Sequence, residues 1–297
     1  MFQYFCLSSR SVVTKLGLLL ALASGVSAVR AQETVSGRPL LDVDGNKVFS
    51  KQELLGVANK CIDEAIEFRL KYEAEQLDYC SHQMLSHMYE KGYLQARLGK
   101  TVYDETDSGT KATIPVEEGA LYRVGEIRID GAKIFAPTQI LEMINFKRGD
   151  IANGQLLSKA LYERLNETYS NLGHIQYTAE ITPKFHQDSP NEGLVDFDIV
   201  IDEGQQFRIR SIKFTGGDKA TTDLMRRELM VHDGEVFNYD LWKQSVAKMN
   251  NTGLFDRIDL DKDVDFKADQ NTPLLDITIH LKKTVATATN PKTKKPT

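Results

Sequence analysis

The sequence predicts an α+β protein built from three tandem copies of a β-α-α-β-β unit, and three observations carry that prediction. The first is a repeated joint. Val116-Glu-Glu-Gly119-Ala-Leu-Tyr122-Arg123 reappears as Ile201-Asp-Glu-Gly204-Gln-Gln-Phe207-Arg208, and Ile127 and Gly131 return as Ile212 and Gly216 at the same spacing. A fixed long period marks a repeated supersecondary unit. The second is a set of amphipathic stretches, each closed by a glycine at Gly92, Gly173 or Gly253, the residue expected just past a helix end. The third is alternation: Val195, Phe197, Ile199 and Ile201 are apolar while Asp196 and Asp198 are acidic, as in a strand with one buried face.

Composition sets the outer limits. The chain has 297 residues, 41% hydrophobic and 27% charged, with net charge −5. Those values fit a globular chain and give no electrostatic support for nucleic-acid binding. At the N-terminus, Arg10 and Lys15 precede the apolar run Leu16–Ala23, and small residues follow. This reads as a secretory signal peptide over residues 1–31, cleaved after Ala31 or, alternatively, after Ala28. The apolar run is shorter than a membrane span requires. The mature chain is therefore expected to be exported.

The elements follow in order. The first repeat opens with Leu41-Asp-Val-Asp44-Gly45, and the second with Ile127-Arg-Ile-Asp130-Gly131. Each is a short strand ending in an Asp-Gly turn. Ser50-Lys-Gln-Glu53 is a capping-box pattern, and Pro137 suits a first helical position. Leu54, Leu55 and Val57, then Ile140, Leu141 and Ile144, then Leu224, Met225 and Leu229 mark the first helices. Arg148-Gly149-Asp150 and Asp233-Gly234-Glu235 occupy matching positions and read as interhelical turns, not as an adhesion motif. Second helices carry Leu77, Met84, Leu85 and Met88; Leu157, Leu161, Leu165, Tyr169 and Leu172; and Leu241, Trp242, Val246 and Met249. Each repeat closes with a hairpin, whose second strands are expected at Leu94–Leu98, Ile175–Ile181 and Phe255–Leu260.

Of three cysteines, Cys6 leaves with the signal. Cys61 and Cys80 fall in predicted helices of the first repeat, either as a disulfide stapling two antiparallel helices or as two buried thiols. They are too few for a metal site. Neither a catalytic constellation nor a cofactor or small-molecule site emerges. His82 and His87 are off the spacing of a helical zinc pair, and no phosphate-binding loop or nucleophile elbow occurs. The acidic pairs Glu117/Glu118 and Asp202/Glu203 recur at the joints and read as structural. The chain is expected not to be an enzyme.

Taken together, the joint and the span Gly234-Glu-Val-Phe-Asn…Gly253-Leu-Phe-Asp-Arg-Ile resemble the POTRA family, over roughly residues 39–284. The implied domains are 39–120, 121–205 and 206–284, followed by a disordered tail at 285–297. The resemblance implies a three-stranded mixed sheet with two helices on one face of each domain. Among such proteins the tandem series is similar to the periplasmic arm of BamA/TamA outer-membrane assembly factors, without the barrel. It implies a location in the periplasm, peripheral to the outer membrane. The implied partners are an outer-membrane barrel protein, assembly-machine subunits and unfolded outer-membrane polypeptides. The alternative is the arm of a two-partner secretion system or of a cell-envelope or division complex. The family's mode of binding is strand addition at a free sheet edge. The residues expected to carry it are Ile175, Tyr177, Ala179 and Ile181, with Phe255 and Ile258 on a charge-guarded third edge.

Around the joints, Gly119 and Gly204 precede Tyr122 and Phe207. Apolar positions then run Tyr122, Val124, Ile127, Ile129 and Phe207, Ile209, Ile212, Phe214, slipping phase once in each copy. A regular strand keeps its phase, so a bend or bulge is expected at Gly125 and at Arg210–Ser211. Tyr122 and Phe207 are expected to pack between domains, and Ile127 and Ile212 to enter their own cores.

Overall fold

The computed structural model describes residues 39–67, 74–107, 109–187, 189–269 and 271–282. The predicted signal peptide and tail lie outside the described residues. The fold is α+β, with a mixed sheet in each of three successive repeats. Among the described residues the chain divides into two compact units, one within residues 39–126, 147–158 and 185–196, the other within 127–146, 159–184 and 197–282.

In the first repeat, β1 (Leu40–Asp44) leads to α1 (Lys51–Glu67) and α2 (Ala74–Glu90), then β2 (Arg97–Leu98), β3 (Val102–Thr106) and β4 (Gly109–Glu117). Ser50 Oγ accepts the Glu53 N–H at 3.1 Å, capping α1, while the Glu53 carboxylate meets His87 Nε2 at 2.8 Å. β4 is central, with β1 parallel to it and both β2 and β3 antiparallel. The sheet is three strands wide as expected, but the lane opposite β1 is broken into two short strands, β2 and β3. The break has a local cause at Pro115, whose carbonyl accepts Gly99 N–H at 2.8 Å but which has no N–H to return. A Cβ on Gly99 would lie 2.8 Å from Pro115 Cβ.

Val43, Leu54, Ile62, Leu77, Met84, Met88 and Ile114 build the first core. Within it, Cys61 of α1 and Cys80 of α2 are disulfide-bonded, Cα atoms 5.5 Å apart and 19 residues apart in sequence. Closing a loop of that length removes unfolded-state entropy worth about 3 kcal/mol. A Cys61→Ala/Cys80→Ala variant is accordingly expected to lose about 3 kcal/mol in urea unfolding at pH 7, and a loss below about 0.5 kcal/mol would contradict this.

The second repeat comprises β5 (Leu121–Asp130), α3 (Pro137–Ile144), α4 (Gly154–Lys159), a π-helical segment at Ala160–Leu165, α5 (Asn166–Ser170), β6 (Thr178–His186) and β7 (Glu192–Asp202), in sheet order β5-β7-β6. Pro137 is the first residue of α3, as expected, and Asn145 ends it in the left-handed region at φ 56°. The predicted single second helix is widened in its middle. Leu157, Leu161, Leu165 and Tyr169 are all buried. A step of four residues drifts about 40° per step around an ideal α-helix, so the wider π turn is what keeps all four on one face.

The third repeat comprises β8 (Arg208–Thr215), α6 (Lys219–Arg227), α7 (Tyr239–Asn251), β9 (Val264–Ala268) and β10 (Leu274–His280). β10 is central, parallel to β8 and antiparallel to β9. Asp218 caps α6 by accepting Thr221 N–H, and Asn238 caps α7 by accepting Leu241 N–H, each at 2.9 Å. Phe207, Ile209, Ile212, Trp242, Leu275, Ile277 and Ile279 belong to its core.

Candidate protein-interaction edges and the repeated joint

Each repeat is tied together just after its first strand. Gly45, Gly131 and Gly216 have φ of +86°, +84° and +83°. A Cβ on them would lie 2.6, 2.1 and 2.0 Å from the carbonyl oxygens of Val116, Ile201 and Leu281. The last strand of each repeat thus runs against a backbone that only glycine allows this close. One step on, the glutamates of the joint turn inward. Glu118, 6% exposed, accepts N–H groups of Lys47, Val48 and Phe49 at 2.8–2.9 Å. Glu203, 8% exposed, accepts N–H of Lys133 and Ile134 at 2.8 and 2.9 Å and the Tyr169 hydroxyl at 3.0 Å. Burial pushes the Glu203 carboxyl up, but the Ile134, Lys133 and Tyr169 donors outweigh it and hold the group below its ordinary value. Both glutamates are anchors for a turn within their own repeat.

The glycines of the joint, Gly119 and Gly204, are exposed with φ of +74° and +62°. Beyond them Tyr122 N–H donates to Gly92 O and Phe207 N–H to Gly173 O, both at 2.9 Å. The helix-ending glycine of one repeat therefore receives the first strand of the next. Tyr122 is fully buried; its hydroxyl donates to Gln95 Oε1 at 2.7 Å and its ring meets Phe185 edge-on at 4.7 Å. Phe207 differs, since it belongs to the third core. Ile212 is buried as expected, whereas Ile127 is only half-buried.

The phase slip expected in both strands appears as a bulge in β8 and as a switch of burial in β5. Between Leu275 and Asp276 the partner in β8 moves from Ile209 to Ser211, leaving Arg210 as the extra residue of a bulge. Asp276 holds it, accepting from Ser211 Oγ at 2.7 Å and from the Arg210 guanidinium, which keeps the Asp276 carboxyl well below the usual range. In β5, burial switches phase at Gly125, with Val124 and Gly125 both buried. There Asp196 accepts Glu126 N–H at 2.6 Å, and its carboxylate fills the place a Gly125 Cβ would take.

The edge strands begin later in the chain than the sequence suggested. β6 and β9 are edge strands, but they start late. Ala179 and Ile181 lie on β6, while Ile175 and Tyr177 precede it in a turn closed by Tyr177 N–H to His174 O at 3.2 Å. The first repeat has the same turn, Ala96 N–H to Tyr93 O at 3.0 Å, so its strand starts at Arg97 and not Leu94. In the third repeat the correction is larger. Phe255 and Ile258 lie in the loop before β9, where Asn250 Oδ1 accepts Ile258 N–H at 2.8 Å and Asn250 Nδ2 donates to Ile258 O at 3.2 Å. A side-chain amide thus does there what a ladder neighbour was expected to do, and both residues pack on the third core. Among the described residues no group of three His, Cys, Asp or Glu is placed to hold a metal ion, and no helix is long and apolar enough to cross a membrane.

The POTRA family model, described as surface antigen variable number repeat, matches residues 122–204 and 207–284, more than half of the chain. The chain belongs to the POTRA family. Curated proteins similar to this chain include several named outer membrane protein assembly factor BamA. That of Neorickettsia risticii is 23% identical over 224 residues, covering 73% of this chain and 29% of the relative. That of Neisseria meningitidis serogroup B is 29% identical over 173 residues, covering 53% and 21%. The chain spans less than a third of the length of the curated relatives it matches. The crystal structure of POTRA domains 3–5 of Haemophilus influenzae BamA superposes with a TM-score of 0.66 at 17% identity, covering 86% of this chain and all of that one. That likeness is one of fold, and it extends the POTRA architecture across all three repeats.

Proposed function

We propose that this POTRA chain is a non-enzymatic periplasmic binding module that assists assembly or translocation of outer-membrane proteins by adding client or partner strands to its free sheet edges. Three domains, 39–120, 121–205 and 206–284, form the module after removal of residues 1–31, and it works peripheral to the outer membrane. Its partners are an outer-membrane barrel or assembly-machine subunit and unfolded outer-membrane polypeptides. The observation that carries the reading is the β6 edge, which borders its sheet in a fold shared with assembly factors of that name. An edge strand offers a row of N–H and C=O groups to any extended chain, so recognition is main-chain and tolerant of sequence.

The test is a photo-crosslinking residue at Glu180, exposed on β6, compared with one at Leu156, an exposed helical position. With a urea-unfolded outer-membrane barrel protein as probe, Glu180 is expected to give adducts at least several-fold above Leu156. Equal labelling, or none with either the probe or purified assembly subunits, would sink the reading.

A further inference from the structure

The three helix-ending glycines stand in equivalent places but in unequal surroundings. Gly92, Gly173 and Gly253 all have positive φ, at +90°, +85° and +64°. Gly92 and Gly173 are buried, while Gly253 is exposed. A Cβ on Gly92 would lie 2.8 Å from Ile151 Cγ2, 2.9 Å from Leu121 Cδ1 and 3.0 Å from Tyr122 O. One on Gly173 would lie 2.8 Å from Val236 Cγ1 and 2.9 Å from Phe207 O. One on Gly253 would meet nothing within 4 Å. Beside it Leu254 is 46% exposed, whereas Tyr93 and His174 in the same place are half-buried.

The two filled places are built alike. Each glycine carbonyl accepts the N–H of an aromatic residue near the start of a first strand, Tyr122 or Phe207. Each glycine is also covered by a β-branched side chain, Ile151 or Val236, from an interhelical turn. That turn pairs with the same strand, Ile151 opposite Arg123 and Val236 opposite Arg208. What covers such a glycine is therefore the leading end of a further repeat, an aromatic residue foremost.

The sequence of this chain does not supply a third such end. Leu281 O lies against Gly216 as Ile201 O lies against Gly131 and Val116 O against Gly45, which aligns the repeat ends. On that alignment Lys283 and Thr284 occupy the places of Glu203 and Gly204, and Thr287 the place of Phe207. A second copy does not supply it from its first repeat either. Ser36 precedes Gly45 by the interval that separates Tyr122 from Gly131, and it is not aromatic. We infer that the exposed end at Gly253 and Leu254 docks the leading end of a POTRA-type domain on a separate polypeptide, with an aromatic residue whose N–H meets the Gly253 carbonyl. The contact is end-on, at a helix terminus and not along a sheet edge, so it stands apart from the strand-addition reading.

The test uses the full mature chain and a synthetic peptide with the sequence of residues 204–214, which carries such a leading end, beside the same peptide with Phe207→Ala. Affinity is read by calorimetry and the site by hydrogen exchange. The expected result is about tenfold tighter binding of the Phe peptide and protection over residues 252–256. The preference is expected to vanish in Gly253→Asn, since asparagine accepts the left-handed backbone while its side chain fills the place of the incoming strand. Leu254→Lys, at an exposed position, is expected to weaken the Phe peptide as well, and thermal unfolding of both variants separates lost binding from a lost fold. Equal affinity for the two peptides, binding of neither, or a preference that survives in both variants would overturn the inference. Protection confined to 178–186 or 262–269 would overturn it and leave strand addition standing. Self-association of the wild-type chain that Gly253→Asn abolishes would mean that a second copy fills the place, and would overturn the assigned partner.

Discussion

The Glu203→Ala variant is expected to unfold about 3–4 kcal/mol more easily than the wild type in urea at pH 7, because one side chain satisfies three donors at once. Lys133 and Ile134 are exposed, so water recovers part of their loss. Tyr169 is fully buried, so its hydroxyl does not recover. A second substitution separates these contributions. Adding Tyr169→Phe to Glu203→Ala removes the orphaned hydroxyl and is expected to return about 1 kcal/mol, although Tyr169→Phe alone destabilises. No recovery would mean that the hydroxyl finds another partner. The same group gives a pH signature. Its carboxyl is held below the ordinary value of 4.5 in the folded state. Its contribution is therefore complete above that value and is lost as pH falls through the lowered one. Glu203→Gln should accordingly be less stable than the wild type at neutral pH and lose less on acidification towards pH 3. Parallel curves for the two proteins would contradict the assignment.

Gly216→Ala should cost about 3 kcal/mol, for two separable reasons. A left-handed backbone costs an L-residue about 1–2 kcal/mol. The added Cβ at 2.0 Å from Leu281 O forces the last strand to move, adding about 1–3 kcal/mol. Gly234→Ala isolates the first contribution, since Gly234 has φ +86° and nothing within 4 Å of an added Cβ. It is expected to cost about 1 kcal/mol. Equal losses for the two variants would show that Gly216 is kept for its backbone conformation alone and not for the approach of Leu281.

These glycines show how far residue order alone reaches. Asp-Gly after each first strand, the Glu-Gly joints and the phase slips at Gly125 and Arg210 were legible because each involves neighbours in sequence and returns in a second copy. The second strands were not. Gly92-Tyr-Leu-Gln and Gly173-His-Ile-Gln read as strand onsets by composition, yet the chain makes one more turn first. Phe255 and Ile258 are apolar with strand-like spacing, yet they serve the core from a loop that Asn250 holds. Nothing local separates an apolar residue facing inward from a strand from one facing inward from a loop. The π segment did leave a signal, the strict spacing by four of Leu157, Leu161, Leu165 and Tyr169, which an unbroken α-helix does not keep on one face. That Tyr162, Tyr239 and Phe266 line one cavity could not be foreseen, since they meet only through tertiary packing.

The hairpin joining β6 to β7 touches the start of β5 at two places. Asn191 O accepts Leu121 N–H at 2.9 Å, and Gly193 lies so close to the Tyr122 ring that an added Cβ would be 2.8 Å from it. The length of that hairpin is thus gauged against Tyr122, as a ruler is against a mark. That hairpin therefore admits insertions, tags and labels only at the cost of uncovering the aromatic ring beneath it.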